Sequence, residues 1–256
     1  MTAIDRQIYV RCLDHFREIS SREFLVSDSI PVPYFGDISS YLGSEHRILT
    51  AALNPSDREF SDVRFDIAAG LDSPEGLEAE LSKYFKINPY KKWFSSFEPV
   101  LNAMSASYGG KMSVFPYRNT ALHVDVLSPL ATSPTWSKLA PDQRAELEST
   151  GNKIFRSLIS ELKPDLVVAS LGQAYKDKLV GGFPIKGDPL IVREYDRDRH
   201  GNPMRPLRVL AWRIDDPNKP WMLVNGTPFQ TPFGKFTTER KKEIGALLKG
   251  LKNAAT

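Results

Sequence analysis

The chain is nearly without cysteine: Cys12 is the only one among 256 residues. That excludes an intramolecular disulfide framework and a four-cysteine zinc or iron–sulfur site. Histidine is scarce as well; the four histidines (His15, His46, His123 and His200) stand at no metal-ligand spacing. No metal and no cofactor are expected. No apolar run approaches the ~20 residues needed to span a bilayer. The first residues, with Asp5, Arg6, Arg11 and Asp14, lack the apolar core of a signal peptide. A cytoplasmic monomer with no membrane partner is the resulting expectation. There is no glycine-rich phosphate loop, since Leu171-Gly172-Gln173 alone carries no such signal, and there is no internal repeat or low-complexity segment.

What is present is ordinary for a globular protein: 41% hydrophobic and 25% charged residues. The length suits one large α/β domain, with an N-terminal helix and extension over 1–44 packed on a core over 45–256. The net charge of +3 is compatible with nucleic acid without being diagnostic. Its distribution says more. Lys235, Arg240, Lys241, Lys242, Lys249 and Lys252 load the last segment, and Arg193, Arg197, Arg199, Arg205 and Arg208 cluster before it. Acidic residues interleave the arginines, so the C-terminal group is the one expected to meet phosphate.

Periodicity predicts an amphipathic helix over 3–20 and a proline-stiffened connection over 30–36. A first strand is predicted over 47–53. A loop follows over 60–88, holding one short helix around 74–85. Tyr90, Trp93, Phe94, Phe97, Val100, Leu101 and Met104 form a helical stripe over 90–106, read as core. A second strand, 121–127, precedes a helix from Pro141 to Leu162, with proline in the first turn and acids early. A buried parallel strand, 166–172, precedes a helix over 173–180. Strands over 207–212 and 221–224 and a helix from Thr237 or Thr238 to Leu251 complete the chain. Strands alternating with helices argue for a three-layer α/β sandwich around a central, mostly parallel sheet.

Three strand ends carry chemistry. Arg47 to Leu53 is strand-like and stops at Asn54-Pro55-Ser56, a turn signal that breaks any helix. Alone, this is a strand followed by an Asx-Pro turn. In an open α/β sheet it is also where ligands bind, at the carboxyl end of a strand. The second strand ends in His123-Val124-Asp125-Val126-Leu127-Ser128-Pro129. The last strand runs into Asn225-Gly226-Thr227-Pro228-Phe229-Gln230-Thr231-Pro232-Phe233-Gly234-Lys235.

Together these segments resemble the active-site motifs of the uracil-DNA glycosylase superfamily, over about residues 45–250. In that family a strand runs into a glycine, two variable residues and a proline, and the residue before the proline handles the attacking water. Ala52 stands at the glycine here and Asn54 at the water-handling position. The family's second motif carries an asparagine that reads the edge of a flipped uracil, and Asp125 takes its place. The third motif, histidine or asparagine followed by proline and serine, matches Asn225 and Thr227, with Gly226 in place of proline.

The resemblance implies a monofunctional DNA N-glycosylase that flips its base into a pocket. Asn54 would position water, Asp57 or Glu59 would supply negative charge near the sugar, and Asn225 would donate to the base O2. Leu53, His123 and Asp125 would surround the base, although a packed, hydrogen-bonded core histidine is the better reading of His123. DNA would meet Ser56, Arg58, Ser128, Thr227, Lys235 and Arg240, with Phe229 and Phe233 as wedges. An ionised Asp125 only accepts hydrogen bonds, so it suits the N4 amine of a cytosine and opposes uracil O4. The expected substrate is therefore a cytosine-type, modified base, with phage defence as a setting. A uracil or mismatch repair glycosylase and a non-catalytic nucleic-acid-binding protein on the same scaffold stay open. An unrelated nucleoside hydrolase is disfavoured by the missing phosphate loop.

Overall fold

The computed structural model describes residues 2–198, 200–217 and 219–253. Arg199 of the expected arginine cluster and the side chain of Lys252 lie outside what is described. The helices are α1 Arg6–Ile19, α2 Ile38–Leu42, α3 Ile67–Asp72, α4 Pro74–Ile87, α5 Lys91–Phe94, α6 Glu98–Ala103, α7 Pro141–Leu162, α8 Gln173–Gly181 and α9 Thr238–Asn253. The strands are β1 Tyr34–Phe35, β2 Ile48–Ala52, β3 Ala106–Ser107, β4 Asn119–Thr120, β5 Leu122–Asp125, β6 Leu166–Ala169, β7 Ile185–Arg197, β8 Pro203–Ile214 and β9 Trp221–Gly226.

A seven-stranded sheet in the order β1-β5-β2-β6-β9-β8-β7 forms the centre. The inner strands β5, β2, β6 and β9 are mutually parallel; β1 at one side and β8 and β7 at the other are antiparallel. Every residue of β2, β5 and β6 is buried. Successive strand residues point to opposite faces, so both faces of the sheet centre are covered. The layering is compatible with a three-layer α/β sandwich. No helix among the described residues is long and apolar enough to cross a membrane.

The expected long aromatic helix is divided into α5 and α6. Pro99 has no amide proton to continue a helix, and it stands in the first turn of α6, where none is needed. The expected loop over 60–88 holds two helices, joined at Ser73, which ends α3 and caps α4 by accepting from the Gly76 amide. The proline-stiffened connection contains β1, a sheet edge paired to Val124 and His123. Strand β7 was not anticipated: its residues are nearly all exposed and include Gly187, Asp188 and Pro189, so it shows no core-facing alternation. Helix α7 has the expected bounds. It lies so close to the chain after β5 that a Cβ at Gly151 would come within 2.0 Å of the Leu127 carbonyl oxygen.

Register fixes the functional end of the sheet. Ala52 sits opposite Asp125, Ala51 opposite Ala169, and Ala169 opposite Asn225. The three expected motifs thus end at the same carboxyl edge of the parallel strands, with β6 between the first and the third.

Candidate active site

At that edge lies a cleft of about 640 Å³. Its floor and walls come from Phe35 of β1, His123 and Asp125 of β5, Ala52 of β2 with Leu53 to Ser56 after it, Ser170 to Gly172 after β6, and Pro228 to Pro232 after β9. Tyr90, Trp93 and Phe94 add an aromatic wall, and Thr135, Trp136, Ser137 and Tyr175 line the cleft as well.

Asn54 is half-buried at the strand end. Its Nδ2 donates to Pro55 O at 2.7 Å, to Thr132 Oγ1 at 3.0 Å and to Leu130 O at 3.3 Å. Two of these partners are carbonyls, which only accept, so they fix which end of the amide is nitrogen. Oδ1 is left as the acceptor available to the cleft. A fixed acceptor beside a ligand cavity suits the orientation of a water molecule.

Asp125 is 6% exposed and lines the cleft floor. Its Oδ1 is buried with no hydrogen-bond donor among the described residues. The nearest cation-forming group, His123 Nε2, is 3.6 Å away, beyond hydrogen-bond range. Burial pushes the Asp125 carboxyl above the usual aspartate range, and His123 opposes that rise. His123 itself is buried, with Nδ1 2.8 Å from Thr50 Oγ1 and its ring against Phe35, Phe94 and Phe97. Thr50 Oγ1 in turn shares a hydrogen bond with Tyr108 Oη. The core-histidine reading describes its packing, although it also lines the cleft beside Asp125.

Glu59 requires a correction. It lies in a short 3-10 turn, Asp57–Glu59, is 5% exposed, and accepts a hydrogen bond from the Tyr84 hydroxyl. Burial pushes its carboxyl up to about 8; the Tyr84 bond and Arg64 moderate that rise and the nearby Asp125 reinforces it. That rise favours the protonated form near neutral pH, against the expectation that Glu59 supplies negative charge near a sugar. Asp57 is half-buried and does not line the cleft.

Asn225 departs from its expected role too. Its Oδ1 accepts from Leu171 N at 2.8 Å and its Nδ2 donates to Leu171 O at 3.1 Å. Both ends of the amide hold the β6–α8 connection, so none is offered to a base. Strand β6 ends at Ala169, short of the expected Gly172. Phe233 is fully buried against Phe97 and Phe236 and cannot act as a wedge. Its ring also explains Gly226 at the motif's proline position, where a Cβ would meet Phe233 Cε1 at 2.2 Å. Ser128 is buried and accepts from Leu130 N, so it does not meet DNA. Thr227 is half-buried, outside the cleft lining, with Oγ1 3.5 Å from Arg208 O.

The mouth keeps the remaining expected residues. Leu53, Ser56 and Arg58 line the cleft, with Arg58 exposed. Phe229 is 52% exposed on the same rim, and Lys235 Nζ lies 5.5 Å from its ring centroid. Arg240 is turned elsewhere: Nη2 donates to Arg197 O at 2.8 Å and the guanidinium lies over Tyr195. Lys241 is buried with Nζ on Ser96 O and Ser96 Oγ. Much of the C-terminal basic group is therefore structural.

Sequence reasoning missed Tyr90, Trp93 and Phe94 as cleft residues by assigning their whole stripe to the core; it gave no signal for Phe35, Trp136 or Tyr175. Comparison with protein-family models and with curated proteins finds no match for this chain.

Proposed function

We propose that the protein is a monofunctional DNA glycosylase that hydrolyses the N-glycosidic bond of a flipped, modified cytosine-type base. The observation that carries the reading is the pairing of Asn54, whose Nδ2 is tied down and whose Oδ1 is available, with the buried carboxyl of Asp125, whose Oδ1 has no hydrogen-bond donor among the described residues, in one cleft. The motif resemblance supplies the reaction class, and the cleft's residues support it.

In this reading the base leaves the stack and enters between the aromatic wall and Asp125, with exposed Phe229 at the gap it leaves. Asn54 Oδ1 holds a water below C1′. The bond between C1′ and the base nitrogen breaks with its electron pair going to the base, and the water oxygen bonds to C1′. The released base ends with the water's proton, and the DNA is left with an abasic site. Protonated Glu59 is the acid in the cleft and offsets charge developing on the base, the role expected of Asn225 from sequence. Arg58 and Lys235 at the mouth meet phosphate.

A uracil reading is favoured by one specific observation, the upward shift of Asp125. A neutral carboxyl offers one donor and one acceptor, as an asparagine amide does, and so pairs with uracil as well as cytosine. Only the ionised form discriminates. The test is incubation with DNAs containing uracil, cytosine, 5-methylcytosine, 5-hydroxymethylcytosine and its glucosylated form, with abasic sites scored by alkaline cleavage. Release of modified cytosines in preference to uracil, with a preference that rises with pH, supports the reading; no abasic site from any substrate overturns it.

A further inference from the structure

Trp136 stands in a 3-10 turn, Trp136–Lys138, closed by hydrogen bonds from Lys138 N to Thr135 O and from Leu139 N to Trp136 O. The turn is placed by its neighbour Thr132, whose amide binds Pro55 O and whose hydroxyl accepts from Asn54. Three residues separate that anchor from the indole. Trp136 is 3% exposed, lines the cleft, and its Nε1–H has no acceptor among the described residues. A tryptophan can only donate, and buried polar groups nearly always find partners. The hydroxyl-bearing Thr135 and Ser137 line the cleft on either side of it in sequence. A pyrimidine held against Asp125 does not fill about 640 Å³, so the cleft has room for more of the substrate than the ring.

We propose, resting on the glycosylase reading, that Trp136 is a substrate-binding residue. Its indole N–H donates to an oxygen that the bound nucleotide carries outside its base-pairing edge. That acceptor is an oxygen on a C5 substituent or a phosphate oxygen beside the flipped nucleotide; both present the same chemistry to a lone donor.

The experiment uses the full chain labelled with ¹⁵N-tryptophan, which gives one indole signal for each of its four tryptophans. Trp136→Phe assigns the relevant one. Duplexes carrying a 2′-fluoro-arabino nucleotide, which resists glycosidic cleavage, present cytosine, 5-methylcytosine or 5-hydroxymethylcytosine; a tetrahydrofuran abasic duplex presents phosphates alone. A downfield Trp136 proton shift with 5-hydroxymethylcytosine only identifies a substituent oxygen. The same shift with every duplex, the abasic one included, identifies a phosphate. Trp136→Phe should then lower kcat/KM roughly three- to tenfold, for the oxygen-bearing base alone in the first case and for all bases in the second. An unmoved signal with duplexes that bind overturns the proposal, even if bases are released. A moved signal without base release on cleavable DNA leaves the donor role standing and removes the glycosylase reading. Failure of every duplex to bind overturns both.

Discussion

Asp125 is a buried carboxyl whose base preference depends on its own proton. Ionised, it accepts from a cytosine N4 amine and repels uracil O4; neutral, it serves either base. Burial moves its titration above the ordinary aspartate range. Preference for cytosine derivatives over uracil should therefore rise as pH climbs through that titration. Asp125→Asn should favour uracil by about ten- to a hundredfold relative to the parent, with a preference that no longer varies with pH. Paired kcat/KM measurements across pH check this, since the titration of Glu59 affects both substrates and cancels in their ratio. A flat ratio in the parent would remove Asp125 from base reading. For Asn54→Ala, loss of the oriented acceptor should lower single-turnover base release by orders of magnitude while DNA affinity changes little. Unchanged release would move water handling to another group.

Glu59 links the cleft to stability at the same scale. Its carboxyl titrates near 8 when folded, against an ordinary 4.5. The folded state therefore keeps a proton that the unfolded chain gives up. Stability from this group is complete below about pH 4.5 and declines up to about pH 8, on the order of 1 kcal/mol per pH unit. Glu59→Gln should flatten that decline in thermal melts between pH 5 and 8. Equal slopes in parent and variant would contradict a buried neutral Glu59. The position was legible in sequence as a candidate, but its charge state was not, because that depends on Tyr84, Arg64 and Asp125 arriving from other elements.

At the scale of elements, the rims of the cleft are tied to one another. Asn225 on β9 holds Leu171 after β6, and Ser170 Oγ accepts from Phe233 N at 2.9 Å. The β6–α8 and β9–α9 connections thus form one hydrogen-bonded unit. Asn225→Ala should cost about 1–3 kcal/mol of stability through the buried Leu171 N–H and C=O it leaves unpaired, with a modest loss of activity that follows from a loosened rim. Melting curves and single-turnover rates separate the cases: an unchanged midpoint with a collapse in rate would return Asn225 to direct catalysis. Strand ends were the most legible part of the chain, since Asn54-Pro55 and Asp125 each close an apolar run, and register brings those runs together. The direction of a side chain at a strand end was not legible. Asn225 shares its neighbours' position and differs from them only in which backbone lies within reach. Strand β7 was invisible because its stability comes from pairing with β8 and not from burial of its own side chains.

For the molecule as a whole, charge location matters more than charge number. The net +3 and the C-terminal run of lysines and arginines pointed to one phosphate-binding segment, but the fold distributes those cations among different tasks. Lys235 is exposed at the cleft mouth beside Phe229. Arg240 ties α9 to the β7–β8 hairpin, and Arg193 and Arg208 are held by Glu243 and Glu194. No sequence pattern separates these roles, because a helix and the loop before it present successive cations to unrelated surroundings. The consequence is a contrast between two neutralised variants. Lys235→Gln should weaken binding to all DNA sequences alike and reduce the slope of log affinity against log salt by about one unit, the effect of one lost phosphate contact. Arg240→Gln should leave that slope unchanged and lower thermal stability, because its guanidinium is occupied by backbone carbonyls and the Tyr195 ring. Titrations of a fluorescent duplex at several salt concentrations, run beside melting curves, measure both. Equal slopes for parent and Lys235→Gln would place DNA elsewhere than at this mouth, and the cleft would then need a substrate that reaches it without the duplex.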